Sequence, residues 1–195
     1  MYEYINGKIT ARNPAYVTIE TVGLAYRINI SLNTYDQIVK LSECKLLLHL
    51  QIKEDAHSLF GFFKEDEREM FRSLITISGI GANTAILILS SLKTSEIRNA
   101  IISSNLSLLK SIKGVGPKTA QRMIIELQDA FKKGGADLPV GLAITGDSTS
   151  NEAISALVML GFKKADAEKT VLNIIRNQNE KLKVEDIVKL SLKQL

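Results

Sequence analysis

The chain has 195 residues, long enough for two or three small domains, and its 45% hydrophobic and 24% charged content is that of a globular protein, which excludes a disordered one. No apolar run reaches the roughly 18 residues of a membrane-spanning helix, and a single cysteine, Cys44, excludes an internal disulfide. The net charge of +4 is modest, and Met1-Tyr2-Glu3-Tyr4 has neither a basic n-region nor an apolar h-region, so no secretory signal and a cytoplasmic location are expected.

Residues 1–63 read as strands. The runs 16–22 and 24–30 alternate and are rich in β-branched residues, with Val22-Gly23-Leu24 as a tight connection. Asn6-Gly7 and Asn13-Pro14 are turn signals. In the run 46–52 the even positions Leu46, Leu48, Leu50 and Ile52 face a core, and His49 falls on the other face with Gln51 and Lys53. A short helix is expected over 33–41. Five short strands and one helix in this span indicate a small closed barrel of the OB type.

Residues 64–133 read as helices. Glu65-Asp66-Glu67 places acids at the positive end of the first helix dipole, and Met70, Phe71, Leu74, Ile75 and Ile77 give that helix an apolar stripe. Further helices are expected near 82–92, 94–103, 105–112 and 117–132. Between them one pattern occurs twice, 35 residues apart: Ile77-Ser78-Gly79-Ile80-Gly81-Ala82-Asn83-Thr84-Ala85 and Ile112-Lys113-Gly114-Val115-Gly116-Pro117-Lys118-Thr119-Ala120. Each is apolar-x-Gly-apolar-Gly-x-x-Thr-Ala, the sequence form of a helix-hairpin-helix element. The glycines tolerate positive φ and close approach, and the amides that open the following helix are a ready anion site. Such a loop grips a nucleic-acid backbone and reads no bases.

The second copy is the richer one. Pro117 suits a first helical turn, where its missing N–H costs nothing. Lys118 and Arg122 share one helix face beside the loop, and Lys110 and Lys113 flank it on the other side. Asn83 replaces Lys118 in the first copy, so that copy is expected to hold phosphate more weakly. The backbone-binding set is therefore Gly79, Gly81, Asn83, Thr84, Lys110, Lys113, Gly114, Gly116, Lys118, Thr119 and Arg122. A lone Gly-x-Gly is more simply a tight turn between packed helices; two copies with matching flanks favour phosphate binding. A nucleotide-binding P-loop is not supported, because Pro117 intervenes between Gly116 and Lys118 and no strand precedes the loop. Charge agrees: residues 1–63 carry 6 basic and 6 acidic side chains, 64–135 carry 11 and 7, and 136–195 carry 8 and 8, so the whole excess lies with the repeats.

Residues 134–149, with Gly134-Gly135 and Pro139, then Gly146-Asp147-Ser148-Thr149, read as a flexible linker. Residues 150–195 read as three helices: one opened by a capping box at Thr149-Ser150-Asn151-Glu152 and closed by Gly161, then 164–177 and 184–194. A neutral, tethered helical module of this size suits protein docking. The expected fold class is thus α+β multidomain: an OB-type barrel (1–63), a tandem helix-hairpin-helix domain (64–133), a linker (134–149) and a three-helix, UBA-like bundle (150–195).

In this order and spacing, the chain resembles over its full length the RuvA family, bacterial subunits that bind Holliday junctions. Lys53-Glu54-Asp55-Ala56, Leu59-Phe60-Gly61-Phe62, Gly114-Val115-Gly116-Pro117-Lys118-Thr119-Ala120 and Leu160-Gly161-Phe162 carry the likeness. The resemblance implies a homotetramer that holds an open four-way junction in recombination and repair, and a C-terminal unit that recruits the hexameric ATPase motor RuvB for branch migration. It implies that RuvC, the junction-cutting nuclease, works with the same complex. One tetramer, or two face to face, both fit the sequence. Glu54 and Asp55 would by themselves read as a solvated turn; by resemblance they are an acidic pin that repels phosphates at the crossover. Leu157, Val158, Met159 and Leu160 are candidate docking contacts, although most apolar side chains in so small a bundle must form its own core. Asn83 departs from the lysine frequent in the family.

Two other classes fit the residues less well. A base-excision glycosylase or lyase would use Lys118 as a Schiff-base nucleophile. It needs a rigid carboxylate where only Asp137 stands, and stacking aromatics where residues 72–130 have no Phe, Tyr or Trp. A general single-strand binder would stack bases on Tyr2, Tyr4, Tyr16, Tyr26, Phe60, Phe62 and Phe63, many of which occupy core positions. His49 and His57, the only histidines, lack metal-ligand spacing with Cys44. No cofactor, metal or catalytic residue is expected, and the chain reads as a non-catalytic scaffold.

Overall fold

The computed structural model describes residues 2–132, 148–176 and 182–194. The first elements are β1 (Tyr4–Asn13), β2 (Tyr16–Thr21), β3 (Leu24–Ile30), α1 (Leu32–Ile38), β4 (Glu43–Ile52) and β5 (His57–Phe62). The strands close into a barrel in the order β1-β2-β3-β5-β4, parallel only where β3 meets β5. This is the five-stranded OB-like barrel expected. Its interior is filled by alternate residues, Val17 and Ile19 of β2, Ile28 and Ile30 of β3, Leu46 and Leu48 of β4, and Ile38 of α1 plugs it.

The structure corrects three local readings. Gly7 does not mark a turn; it lies within β1, where a Cβ would overlap the Glu20 carbonyl oxygen of β2. The strand expected over 16–22 ends at Thr21, and Val22 belongs to the tight connection expected at Val22-Gly23-Leu24. Thr21 pairs with Leu24, so Val22 and Gly23 form a two-residue hairpin loop with φ of 48° and 81°, the positive values that match strand twist. Ile52 does not face the core: it is 66% exposed, because β4 runs past the barrel into a projecting hairpin.

The next elements are α2 (Glu65–Ile75), α3 (Ala82–Ser91), α4 (Thr94–Ile102), α5 (Leu106–Ser111) and α6 (Pro117–Lys132). Phe60 and Phe62 point out of the barrel and belong to the helical core, with their rings 5.1 and 5.0 Å from that of Phe71 on α2. The His49 ring meets Phe71 edge-on at 5.2 Å, and burial, then Arg72 and Arg68, push its pKa down. The sequence boundary near residue 63 is therefore a buried seam, and the described residues up to 132 fall in one compact unit.

Polar groups lock that seam. Glu67, buried at the start of α2, accepts hydrogen bonds from the Ser31 hydroxyl and, at 2.6 Å, from Thr34 Oγ1. The Phe63 amide donates to Thr34 Oγ1 at 3.1 Å. Arg68 donates to both oxygens of Glu65 and to the Glu3 carbonyl. Asn33 Nδ2 donates to the Leu89 and Leu92 carbonyls, capping the C-terminal end of α3 from α1. The first hairpin is thereby fixed to the barrel.

Described residues from 148 onward form a second unit: α7 (Ser148–Met159), α8 (Lys164–Arg176) and α9 (Val184–Leu192). Its core is Ala153, Leu157, Ala167, Val171 and Ile187. Gly161, at φ +100°, closes α7; its own amide and that of Phe162 donate to the Val158 and Leu157 carbonyls, a Schellman cap. Most of the expected linker lies outside the described residues, but Ser148 and Thr149 open α7, so Thr149 sits inside the helix it was expected to cap. No helix among the described residues is long and apolar enough to cross a membrane.

Candidate nucleic-acid interface

The two repeats fold alike, hydrogen bond for hydrogen bond. The Ile80 amide donates to the Ile77 carbonyl at 3.0 Å, and that of Val115 to Ile112 at 3.1 Å. The Ala85 amide donates to Gly81 O and that of Ala120 to Gly116 O, both at 2.9 Å. Ile77, Ile80 and Ala85, and equally Ile112, Val115 and Ala120, are buried in the helical core. These six anchors fix each loop, so its backbone needs no help from a ligand to take shape. Gly79 and Gly114 sit at φ +96° and +90°, where L side chains are strained.

Gly81 is the N-cap of α3, in extended conformation. It offers no side-chain oxygen, so the amides of the first turn, including those of Asn83 and Thr84, keep their donors for another acceptor. In the second hairpin Pro117 has no donor, which leaves the amides of Lys118 and Thr119 at the start of α6. Helix dipole and amides together make each loop an anion cradle. Lys110, Lys113 and Lys118 are exposed, and none of them forms an ion pair among the described residues. Lys110 also lies in the last turn of α5, where it complements the negative helix end.

The tertiary structure places the two loops against each other in a reciprocal way. A Cβ built on Gly79 would meet Thr119 Oγ1 at 3.9 Å, and one on Gly114 would meet Thr84 Cγ2 at 3.8 Å. The structure thus brings Gly79, Thr84, Gly114 and Thr119 together. Arg122 departs from its expected place among free cations: its Nη1 donates to the Ser78 carbonyl of the first loop at 3.0 Å. Ser78 was missed in the sequence because a backbone carbonyl carries no residue-type signal.

Glu54 and Asp55 occupy the exposed tip of the β4–β5 hairpin. The Lys53 amide donates to Ala56 O at 2.8 Å, so the two carboxylates form a two-residue loop. In the C-terminal unit Leu157 is fully buried and belongs to that unit's own core, whereas Met159 and Leu160 are 73% and 60% exposed. Of the barrel aromatics, Phe60 and Phe62 are buried while Tyr2 and Tyr4 are exposed. Asp137 lies outside the described residues.

Three family descriptions match: "RuvA N terminal domain" over residues 1–61, "SAM-like Helix-hairpin-helix tandem" over 71–129 and "RuvA, C-terminal domain" over 148–195. Similar proteins called "Holliday junction branch migration complex subunit RuvA" come from Bacteroides fragilis, 46% identical with both chains covered in full, and from Christiangramia forsetii, 42% identical with both covered in full. One from Cytophaga hutchinsonii is 41% identical over 99% of each chain.

Proposed function

The chain belongs to the RuvA family, and from that membership we propose that it binds four-way DNA junctions through their backbones, as a tetrameric, non-catalytic scaffold for branch migration. The observation that carries this reading is the pair of matched, pre-formed loops, with open helix N-termini and three exposed lysines beside the second. Amides and lysines at fixed spacing recognise phosphates whatever the base sequence. Gly79, Gly81, Asn83 and Thr84 form the weaker cradle; Lys110, Lys113, Gly114, Gly116, Lys118 and Thr119 form the stronger one.

In this reading Glu54 and Asp55, at the hairpin tip, lie where strands cross and repel their phosphates. The C-terminal unit recruits RuvB, whose ATPase drives migration, and RuvC acts on the same complex. Met159 and Leu160 are the docking contacts; Leu157 holds the unit together. Gel-shift binding to a synthetic four-way junction, to linear duplex and to single strand, with salt varied, tests the reading. The expected result is a strong preference for the junction and an affinity that falls steeply with salt. Equal binding to junction and duplex would reduce the chain to a general backbone binder.

A further inference from the structure

We propose that Arg122 is a positioning residue that ties the first hairpin to the second, and not one of the phosphate ligands. The inference rests on the reading of the hairpins as a backbone clamp.

Arg122 lies one turn beyond Lys118 on α6, and its Nη1 reaches across to the Ser78 carbonyl, 44 residues away, at 3.0 Å. A guanidinium that donates to a main-chain carbonyl fixes that peptide in place, and the Ser78 peptide leads directly into Gly79 at φ +96°. The first loop, already anchored in the helical core, is thus also held from the second hairpin. The Gly79–Thr119 and Gly114–Thr84 approaches are loose, 3.9 and 3.8 Å from a notional Cβ. They leave the arginine as the directional link between the loops.

The repeat shows why, among the described residues, the tie runs one way. With the 35-residue offset, Ser78 matches Lys113, Asn83 matches Lys118, and Leu87 matches Arg122. Leu87 is 45% exposed and cannot donate to the Lys113 carbonyl. The hairpin with its own lysines therefore receives no tie, and the hairpin without them does. A loop that offers only neutral donors depends on being presented at the correct spacing from its partner, since it has no flexible cation to make up for a misplaced amide. Arg122 supplies that spacing.

The test compares full-length wild type, Arg122→Gln and Lys118→Gln for affinity to a four-way junction as a function of salt, well below each variant's melting temperature. Lys118→Gln removes a cation that neutralises a phosphate. It lowers affinity and also flattens the salt dependence, by about 0.9 in the log–log slope for each phosphate left without its cation. Arg122→Gln is expected to lower affinity about fivefold or more, a hydrogen bond's worth of positioning, with the salt slope unchanged. A slope reduced as in Lys118→Gln would make Arg122 a phosphate ligand and overturn the proposal; so would unchanged affinity. If wild type shows no junction preference, the proposed function fails. The same comparison on duplex then still decides the role of Arg122.

Discussion

At the scale of single residues, backbone conformation separates the positions that are free to change from those that are not. Val22 is a β-branched residue at φ 48° with its side chain fully exposed. Positive φ is unfavourable for such a residue and the side chain packs on nothing, so Val22→Asn is expected to raise stability by about 0.5–1 kcal/mol, read from urea denaturation midpoints. Glu54 and Asp55 present the opposite case, exposed charges with no structural partner among the described residues. Removing both charges with Glu54→Gln and Asp55→Asn is expected to tighten junction binding while leaving the melting temperature within a degree or two of wild type, since surface substitutions commonly move stability by under about 0.5 kcal/mol. Weaker binding would show that the tip attracts DNA. The residue types at the hairpins were legible in the sequence, glycines and lysines in a repeated frame. The partner of Arg122 was not, because hydrogen bonding to a carbonyl 44 positions away leaves no mark on composition.

At the scale of elements, the seam between barrel and helices is the informative feature. Glu67 is buried against Ser31 and Thr34, and burial, its largest influence, pushes its pKa up; the two hydroxyls oppose that shift, and so does Lys64, while Asp66 adds to it. A carboxyl with a raised pKa in the folded state holds its proton more tightly there than in the unfolded chain. Its contribution to stability is thus fully present below the ordinary glutamate value and is lost as pH rises through the folded value. Relative to Glu67→Gln, which does not titrate, wild type is expected to lose stability as pH is raised from the ordinary glutamate range upward, measured by denaturation at a series of pH values. A difference that stays flat with pH would show that the carboxyl is ordinary. In the sequence Glu67 is one of three acids suited to a helix start, and all three stand in the first turn of α2, but Glu67 alone of them is buried. Periodicity placed the helix; it could not say which acid turns inward, because that depends on α1 arriving beside it.

At the scale of the whole molecule, the described residues hold separate apolar clusters for the barrel, the hairpin helices and the C-terminal unit. Every member of the first two lies at or before Phe131. A chain ended after Lys132 is therefore expected to fold and to keep junction binding with an unchanged salt slope, while no longer co-precipitating with RuvB; failure to bind the junction would place part of the DNA-binding surface in the C-terminal unit. The sequence by itself determined the elements, the five-stranded barrel, the duplicated loop, the closing Gly161 and the family, because alternation, helical spacing and glycine at positive φ are local requirements written in residue order. It misjudged Gly7, Val22 and Ile52, where strand length and close approach of a second strand decide the outcome. Only the tertiary structure decided that Phe60 and Phe62 leave the barrel to join the helices, that Leu157 is core, and that the two hairpins meet glycine to threonine with Arg122 between them. Those facts depend on which surfaces meet once the chain has closed on itself, and contacts between residues far apart in sequence follow from packing that no local pattern encodes.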